Sequence, residues 1–265
     1  MKIIGFTQAR NEMDKDENLL NWLKCMDMCE SIYIYDQNST DNSREVYQAN
    51  PKCKVIYSPI NNFVNENVCK THLMEKVYNE NQDVDFILWA DCDYIFDGRY
   101  LKNNFEKFFE MAEQAKQENT SISFKHTNLW RSCNYRRLDS LYDVSFATGR
   151  CSLWNTVGRK LRMPGNSGLH TSALPVNIGP TKLVDFHLIH RGFATDKQII
   201  GKYDLYKGFG QKGWDLERLL DEEKLDVIRI PDEFLPEWYE LKDDVDPRTK
   251  RKIREIYEEM KNANT

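Results

Sequence analysis

Phe86-Ile87-Leu88-Trp89-Ala90-Asp91-Cys92-Asp93-Tyr94 decides how this chain is read. An apolar run that ends abruptly in two carboxylates has the form of a buried strand delivering acidic side chains to the edge of a sheet. On an extended backbone residues i and i+2 project to the same side, which predicts that Asp91 and Asp93 face one site. Carboxylates so placed repel each other unless a proton or a cation lies between them. A hard divalent ion, Mg²⁺ or Mn²⁺, suits such oxygen ligands, and substrate phosphates complete its shell. Asp-X-Asp also occurs in solvated turns; the hydrophobic strand ahead of it is what favours a metal site.

Outward from this strand, β and α patterns alternate. Lys2–Phe6 reads as a strand, Glu17–Cys29 as a helix with Leu19, Leu20, Leu23 and Met26 at helical spacing, and Ser31–Tyr35 as a second strand. A helix at 42–49, a strand at Cys53–Tyr57, a helix at Asn67–Asn79, the strand Asp85–Ala90 and a long amphipathic helix at Leu101–Gln117 follow. This order predicts an α/β fold with a mostly parallel central sheet and helices on both faces. Ligands bind such sheets beyond the carboxyl ends of the strands. The polar clusters at 7–12, 36–41 and 91–93 each follow a strand and are expected to converge on one crevice. The second half is less regular, with strands at 120–128, 143–153 and 183–189, a helical stretch at 195–223 and a closing charged helix at Asp246–Asn262.

In the first polar cluster, Arg10 suits a diphosphate, and Thr7, Ala9 and Asn11 beside it suit a base or ribose; a loop salt bridge is the plain alternative. In the second, Asp36 ends a strand where its carboxylate can accept hydrogen bonds from a nucleobase edge. Ser39, Thr40 or Asp41 can cap the helix that follows. Residues 125–163 hold eight Lys or Arg against two Asp, a local excess of +6 in a chain whose formal net charge is -5, with Trp130, Tyr135, Tyr142 and Trp154 interleaved. Guanidiniums neutralise phosphates and aromatic faces stack on sugars or bases, so this stretch is a candidate acceptor side for an anionic acceptor; a solvated basic face over core aromatics is the competing reading. Lys160 and Arg162, just ahead of a Gly/Pro loop, are its candidate diphosphate contacts.

Ala-Arg-Asn-Glu at 9–12, Leu-Leu-Asn-Trp-Leu at 19–23, Ile-Tyr-Asp-Gln-Asn-Ser-Thr-Asp at 34–41 and Trp-Ala-Asp-Cys-Asp at 89–93 together resemble the family 2-type glycosyltransferases. The match in motif order and spacing covers residues 1–97, and Tyr94 stands where many members carry Glu. The resemblance implies a Rossmann-like GT-A fold over 1–240, with a nucleotide-binding half at 1–97, an acceptor half at 98–240 and C-terminal helices appended, the last at 241–265. It implies a nucleotide-diphosphate sugar donor, most commonly uridine-linked, and a glycan or other hydroxyl acceptor. It also implies Mn²⁺ or Mg²⁺ on the Asp-x-Asp, with Asp36 on the base, Asp91 on ribose or metal, and Asp93 on metal. Lys182–Phe193 resembles the family's later His-containing strand, so one of His187 and His190 is expected as a further metal ligand, with a slight preference for His187. Inversion is the family's usual course and calls for a carboxylate base; Asp139, Asp143 and Asp196 are the candidates, and the sequence does not choose among them.

Two other classes compete. A nucleotidyltransferase also uses strand-end carboxylates and Mg²⁺, but commonly carries a Gly-rich basic loop that Phe6–Leu19 lacks. A non-catalytic carbohydrate- or nucleic-acid-binding module has no need for both Asp91 and Asp93. The acidic balance argues against a surface devoted to nucleic acid. Seven scattered cysteines read as free thiols of a reducing compartment, and neither a secretory pattern nor a membrane-length apolar run is visible, so the cytoplasm is the expected location.

Overall fold

A computed structural model describes residues 1–15, 18–62, 65–138, 151–165, 174–210 and 212–263, without the side chains of 214 and 215. Strands β1 (Ile3–Ala9), β2 (Ser31–Gln37), β3 (Cys53–Ser58) and β4 (Phe86–Trp89) alternate with helices α1 (Asn18–Cys25), α2 (Ser43–Ala49) and α3 (Glu66–Glu80). After β5 (Tyr94–Phe96) and α4 (Gly98–Gln117) come β6 (Ser121–Asn128), β7 (Tyr135–Arg137), β8 (Ser152–Asn155) and β9 (Thr181–His190). The chain ends through α5 (Asp196–Gly208), α6 (Trp214–Glu217), β10 (Val227–Arg229) and α7 (Ile253–Asn262). Eight strands form one sheet in the order β3-β2-β1-β4-β8-β6-β9-β5, and β7 pairs with β10 in a separate ribbon.

Strands β1 to β4 run parallel, as does the β6–β9 pair, whereas β8 is antiparallel to both its neighbours and β5 to β9. The result is the expected α/β architecture with a mostly parallel sheet. Strand alternation sorts the core: Ile3, Ile32, Phe86 and Leu88 pack with Leu19 and Trp22 of α1 and Phe108 of α4 on one face. Ile4, Phe6, Tyr33, Ile87 and Trp89 pack with Leu73, Met74 and Val77 of α3 on the other. Helices therefore cover both faces. A side chain at Gly5 would run into Met26 and come 3.2 Å from Cys29 Sγ, so this glycine lets the turn after α1 lie directly on β1.

Several boundaries differ from expectation for identifiable reasons. The 195–223 stretch divides into α5 and α6, parted by Gly210 and Gly213 at φ near +80°. The closing helix starts at Ile253 because Pro247 opens a separate 3₁₀ turn. Its Ile253 and Tyr257 pack with Ile199, Ile200 and Tyr203 of α5. The helix expected from Leu101 begins at Gly98 and is interrupted between Lys102 and Phe105, where Asn103 and Asn104 take the left-handed conformation that Asn tolerates. Of the strand expected at 143–153, β8 supplies the last residues, and 143–150 lie outside the described residues. All seven cysteines are free thiols. No described helix is long and apolar enough to cross a membrane.

Candidate active site

The carboxyl ends of β1, β2 and β4 open on one side of the sheet, and the loops after β1 and β2 are tied together there. Asn11 N–H donates to Ser39 Oγ at 3.0 Å, Thr40 N–H to Asn11 Oδ1 at 2.8 Å, and Glu12 N–H to Ser43 Oγ at 3.2 Å. Asp41 accepts from the backbone of Met13, Asp14 and Ser43 at 2.9 to 3.0 Å. Partial burial acts to raise the Asp41 pKa, but the hydrogen bonds from Ser43, Asp14 and Met13 outweigh it and leave the carboxyl below its ordinary value. Asn11 and Asp41 thus hold the loops in register. Arg10 is exposed on the rim, while Thr7 and Ala9 are buried in the floor, Thr7 beside Cys92.

Asp36 is fully buried at the end of β2. Its Oδ1 accepts from Ser39 N–H at 2.9 Å and lies 3.6 Å from Arg44, whereas Oδ2 is buried without any hydrogen-bond partner among the described residues. A buried acceptor left unpaired is costly, and the cost disappears when a ligand N–H reaches it.

β4 ends at Trp89, and Asp91 to Tyr94 form a turn closed by Tyr94 N–H on Asp91 C=O at 3.2 Å. The extended backbone expected through Asp93 is therefore absent, and the two carboxylates meet different neighbours. Asp91 Oδ1 accepts from the Trp89 indole at 3.2 Å. Beside it lies Lys70 of α3, a buried lysine paired with Glu66 and stacked 3.3 Å from the Trp89 ring centroid. Burial pulls the Lys70 pKa down, against the raising effect of Glu66 and Asp91. Asp93 Oδ2 lies 2.9 Å from His190 Nε2 and 3.4 Å from Lys202 Nζ. Burial acts to raise the Asp93 pKa, but the charges of His190, Lys202 and Lys15 hold it well below the usual carboxylate range.

His190 ends β9 in register with Tyr94 and Asn128. Its Nδ1 lies 2.7 Å from Asn128 Oδ1, an acceptor, so Nδ1 carries hydrogen and Nε2 is left facing Asp93. Tyr94, where the resembled family often has Glu, lies against the imidazole at a 4.9 Å centroid distance and buttresses it. Of the two expected histidines the structure brings His190 to Asp93. His187, the slightly preferred of the two, sits three residues away along the strand, bonded to Thr127 at 2.9 Å and stacked on Phe234.

Other expected residues stand elsewhere. Asp196, a candidate base, opens α5 with both oxygens held by Arg131 at 2.5 and 3.1 Å, and the same buried guanidinium reaches both oxygens of Glu222 at 3.0 Å. Asp139 and Asp143 lie outside the described residues. Lys160 and Arg162, expected as diphosphate contacts, are not brought to Asp36 and Asp93. β8 runs antiparallel to β4, so the chain leaves it beside Phe86, at the end of β4 opposite Asp91. There Leu161 N–H bonds the Tyr78 hydroxyl near the C-terminus of α3. Within the basic stretch, Trp130 and Trp154 are fully buried, and Arg137 is buried over Trp130.

Among the described residues no group of three or more His, Cys, Asp or Glu is disposed to hold a metal ion. Asp93 Oδ2 and His190 Nε2 nonetheless form a carboxylate–imidazole pair of the kind that binds Mn²⁺ or Mg²⁺ when phosphate oxygens supply the rest of the shell. Asn128 orients the imidazole as an outer hydrogen-bond partner would. The donor set fits such an ion, and Lys202 now takes up the space beside it. Sequence reasoning missed Lys202 and Lys70. Lys70 had a signal, since with Met74 and Val77 it follows helical spacing on the apolar face of α3.

No protein-family model matches the chain, and no curated protein matches its sequence. Solved structures of similar shape include Staphylococcus aureus TarS 1-349, at 12% identity over 84% of this chain and 70% of that one, with a TM-score of 0.45. Another is the mannosyltransferase PcManGT from Pyrobaculum calidifontis in complex with GDP-Man and Mn²⁺, at 10% identity over 82% and 66%, TM-score 0.41. A third is glucosyl-3-phosphoglycerate synthase from Mycobacterium tuberculosis with Mn²⁺, UDP and glucosyl-3-phosphoglycerate, at 14% identity over 47% and 44%, TM-score 0.32. At these identities and scores the likenesses assign no activity.

Proposed function

We propose that this chain is a glycosyltransferase of the GT-A kind, moving a sugar from a nucleotide-diphosphate donor, UDP-linked by the resemblance, to an acceptor hydroxyl with inversion. The observation that carries the reading is the meeting, beyond the carboxyl ends of parallel strands, of a buried carboxylate with one unpaired oxygen and an oriented carboxylate–imidazole pair. Asp36 Oδ2 receives an N–H of the base edge, and the Asn11–Asp41 network presents the two loops at fixed spacing. Arg10 and Lys15 face the diphosphate from the rim. Asp93 and His190 would hold Mn²⁺ or Mg²⁺, which when bound neutralises charge on the departing diphosphate. In this reading residues 1–97 bind the nucleotide and 98–240 the acceptor, with His190 and Lys202 of the second half closing the donor site. Asp139 and Asp143 stand as base candidates ahead of Asp196, whose lone pairs are taken by Arg131.

Thermal-shift and calorimetric titration with UDP, GDP and dTDP sugars in Mn²⁺, followed by donor hydrolysis assays, test the reading. Stabilisation by one of these donors is expected, with Asp93→Asn lowering turnover by about two orders of magnitude or more. A response to nucleoside triphosphates alone would instead favour nucleotidyl transfer, and no response to any nucleotide would favour a binding module.

A further inference from the structure

Lys202 projects from α5 into the position that a cation between Asp93 and His190 would occupy. Its Nζ is 3.4 Å from Asp93 Oδ2 and 3.3 Å from His190 Nε2, and 4.4 Å from the centroid of the Phe193 ring. With Nδ1 directed at Asn128 Oδ1, His190 presents Nε2 to a carboxylate oxygen only 2.9 Å away. A carboxylate taken out of water is stabilised by a positive group beside it. The Lys202 ammonium supplies such a charge, and the aromatic face adds a favourable cation–π contact. The space is kept open for it by Gly192: a Cβ there would lie 2.7 Å from Asp93 Oδ2 and closer still to Lys202 Nζ and His190 Nε2. The chain thus builds a cation site and fills it from its own helix.

We infer that Lys202 is a tethered cation that competes with a divalent ion for Asp93 and His190 and receives the diphosphate when no metal is present. A lysine ammonium is a compact charge on a flexible four-carbon stem, so it can withdraw from Asp93 without disturbing α5. Divalent binding must displace it, and its charge opposes the incoming ion until it leaves.

The first arm of the test uses Mn²⁺ alone, titrated against the full chain by electron paramagnetic resonance, and is independent of the proposed activity. Lys202→Met, which keeps the stem and removes the charge, should bind Mn²⁺ at least about tenfold more tightly than wild type, whereas Lys202→Arg should bind it as weakly as wild type. Lys197→Met, at an exposed position of the same helix, serves as the control and should match wild type. Circular dichroism and melting curves establish that each variant is folded. Unchanged Mn²⁺ affinity in Lys202→Met, or equal tightening in Met and Arg variants, overturns the proposal.

The second arm rests on the nucleotide-sugar reading. Wild type should bind UDP or GDP in excess EDTA, and Lys202→Met should do so only after Mn²⁺ is restored. Binding by wild type only with Mn²⁺ overturns the tethered-cation role in donor binding and leaves the glycosyltransferase reading standing; binding in neither condition overturns both.

Discussion

At Asp36 a strand end keeps one carboxylate oxygen bonded to the loop it starts and leaves the other buried and unbonded. Asp36→Asn should therefore leave melting temperature unchanged or raise it, because a buried charge is removed. Calorimetry should show affinity for a nucleoside diphosphate falling about tenfold, the worth of a hydrogen bond to a charged group. Asp41 behaves in the opposite way. Its folded pKa lies below the unfolded value of about 3.9, so its stabilisation is present above that pH and is lost as pH falls through the folded value. Asp41→Asn should cost about 1–2 kcal/mol at neutral pH in urea denaturation, and the gap from wild type should narrow below about pH 4. Asp36, Asp93 and His190 were legible as candidates because they sit at strand ends beside turn residues. Lys202 was not, since nothing in a helical Lys says which strand end it will reach.

At the level of elements, α5 is anchored through Arg131, whose guanidinium is 1% exposed and bridges Asp196 at the start of α5 to Glu222 beyond α6. Thr195 and Gln198 cap the same helix reciprocally. Removing one member of a buried ion cluster strands the others, so Arg131→Met should lower stability by about 3 kcal/mol or more in denaturant titration. Asp196→Asn is expected to lose stability as well; a stability unchanged within error, with turnover abolished, would return Asp196 to the role of base. The long elements β1 to β4 and α1 to α3 were readable because each shows burial periodicity over several residues. β5, β7 and β10, at three residues each, are too short to show any. The turn at Asp91–Tyr94 departs from the extended expectation for a related reason: polar residues at a strand end carry no periodicity of their own.

For the molecule as a whole, one sheet separates two ends that carry different side chains. Asp36, Asp93 and His190 gather at or beyond the carboxyl ends of β2, β4 and β9, and Lys160 and Arg162 lie toward the amino end of β4. Replacing Lys160 and Arg162 together by Ala should leave nucleotide affinity within about twofold of wild type by calorimetry, because exposed charges beyond a Debye length of about 10 Å are screened. A loss comparable with that of Asp93→Asn would show that this end of the sheet also receives the ligand. The amino-acid sequence on its own determined the α/β architecture, the two-faced core and the placing of polar loops beyond the first, second and fourth strands, since these follow from the period of apolar residues along the chain. It did not determine which histidine meets Asp93, that β8 reverses direction and carries Lys160 away from the crevice, or that Trp130 and Arg131 are core. Those outcomes depend on strand order, direction and register between segments tens of residues apart, and only tertiary packing decides among the arrangements that the same local patterns allow.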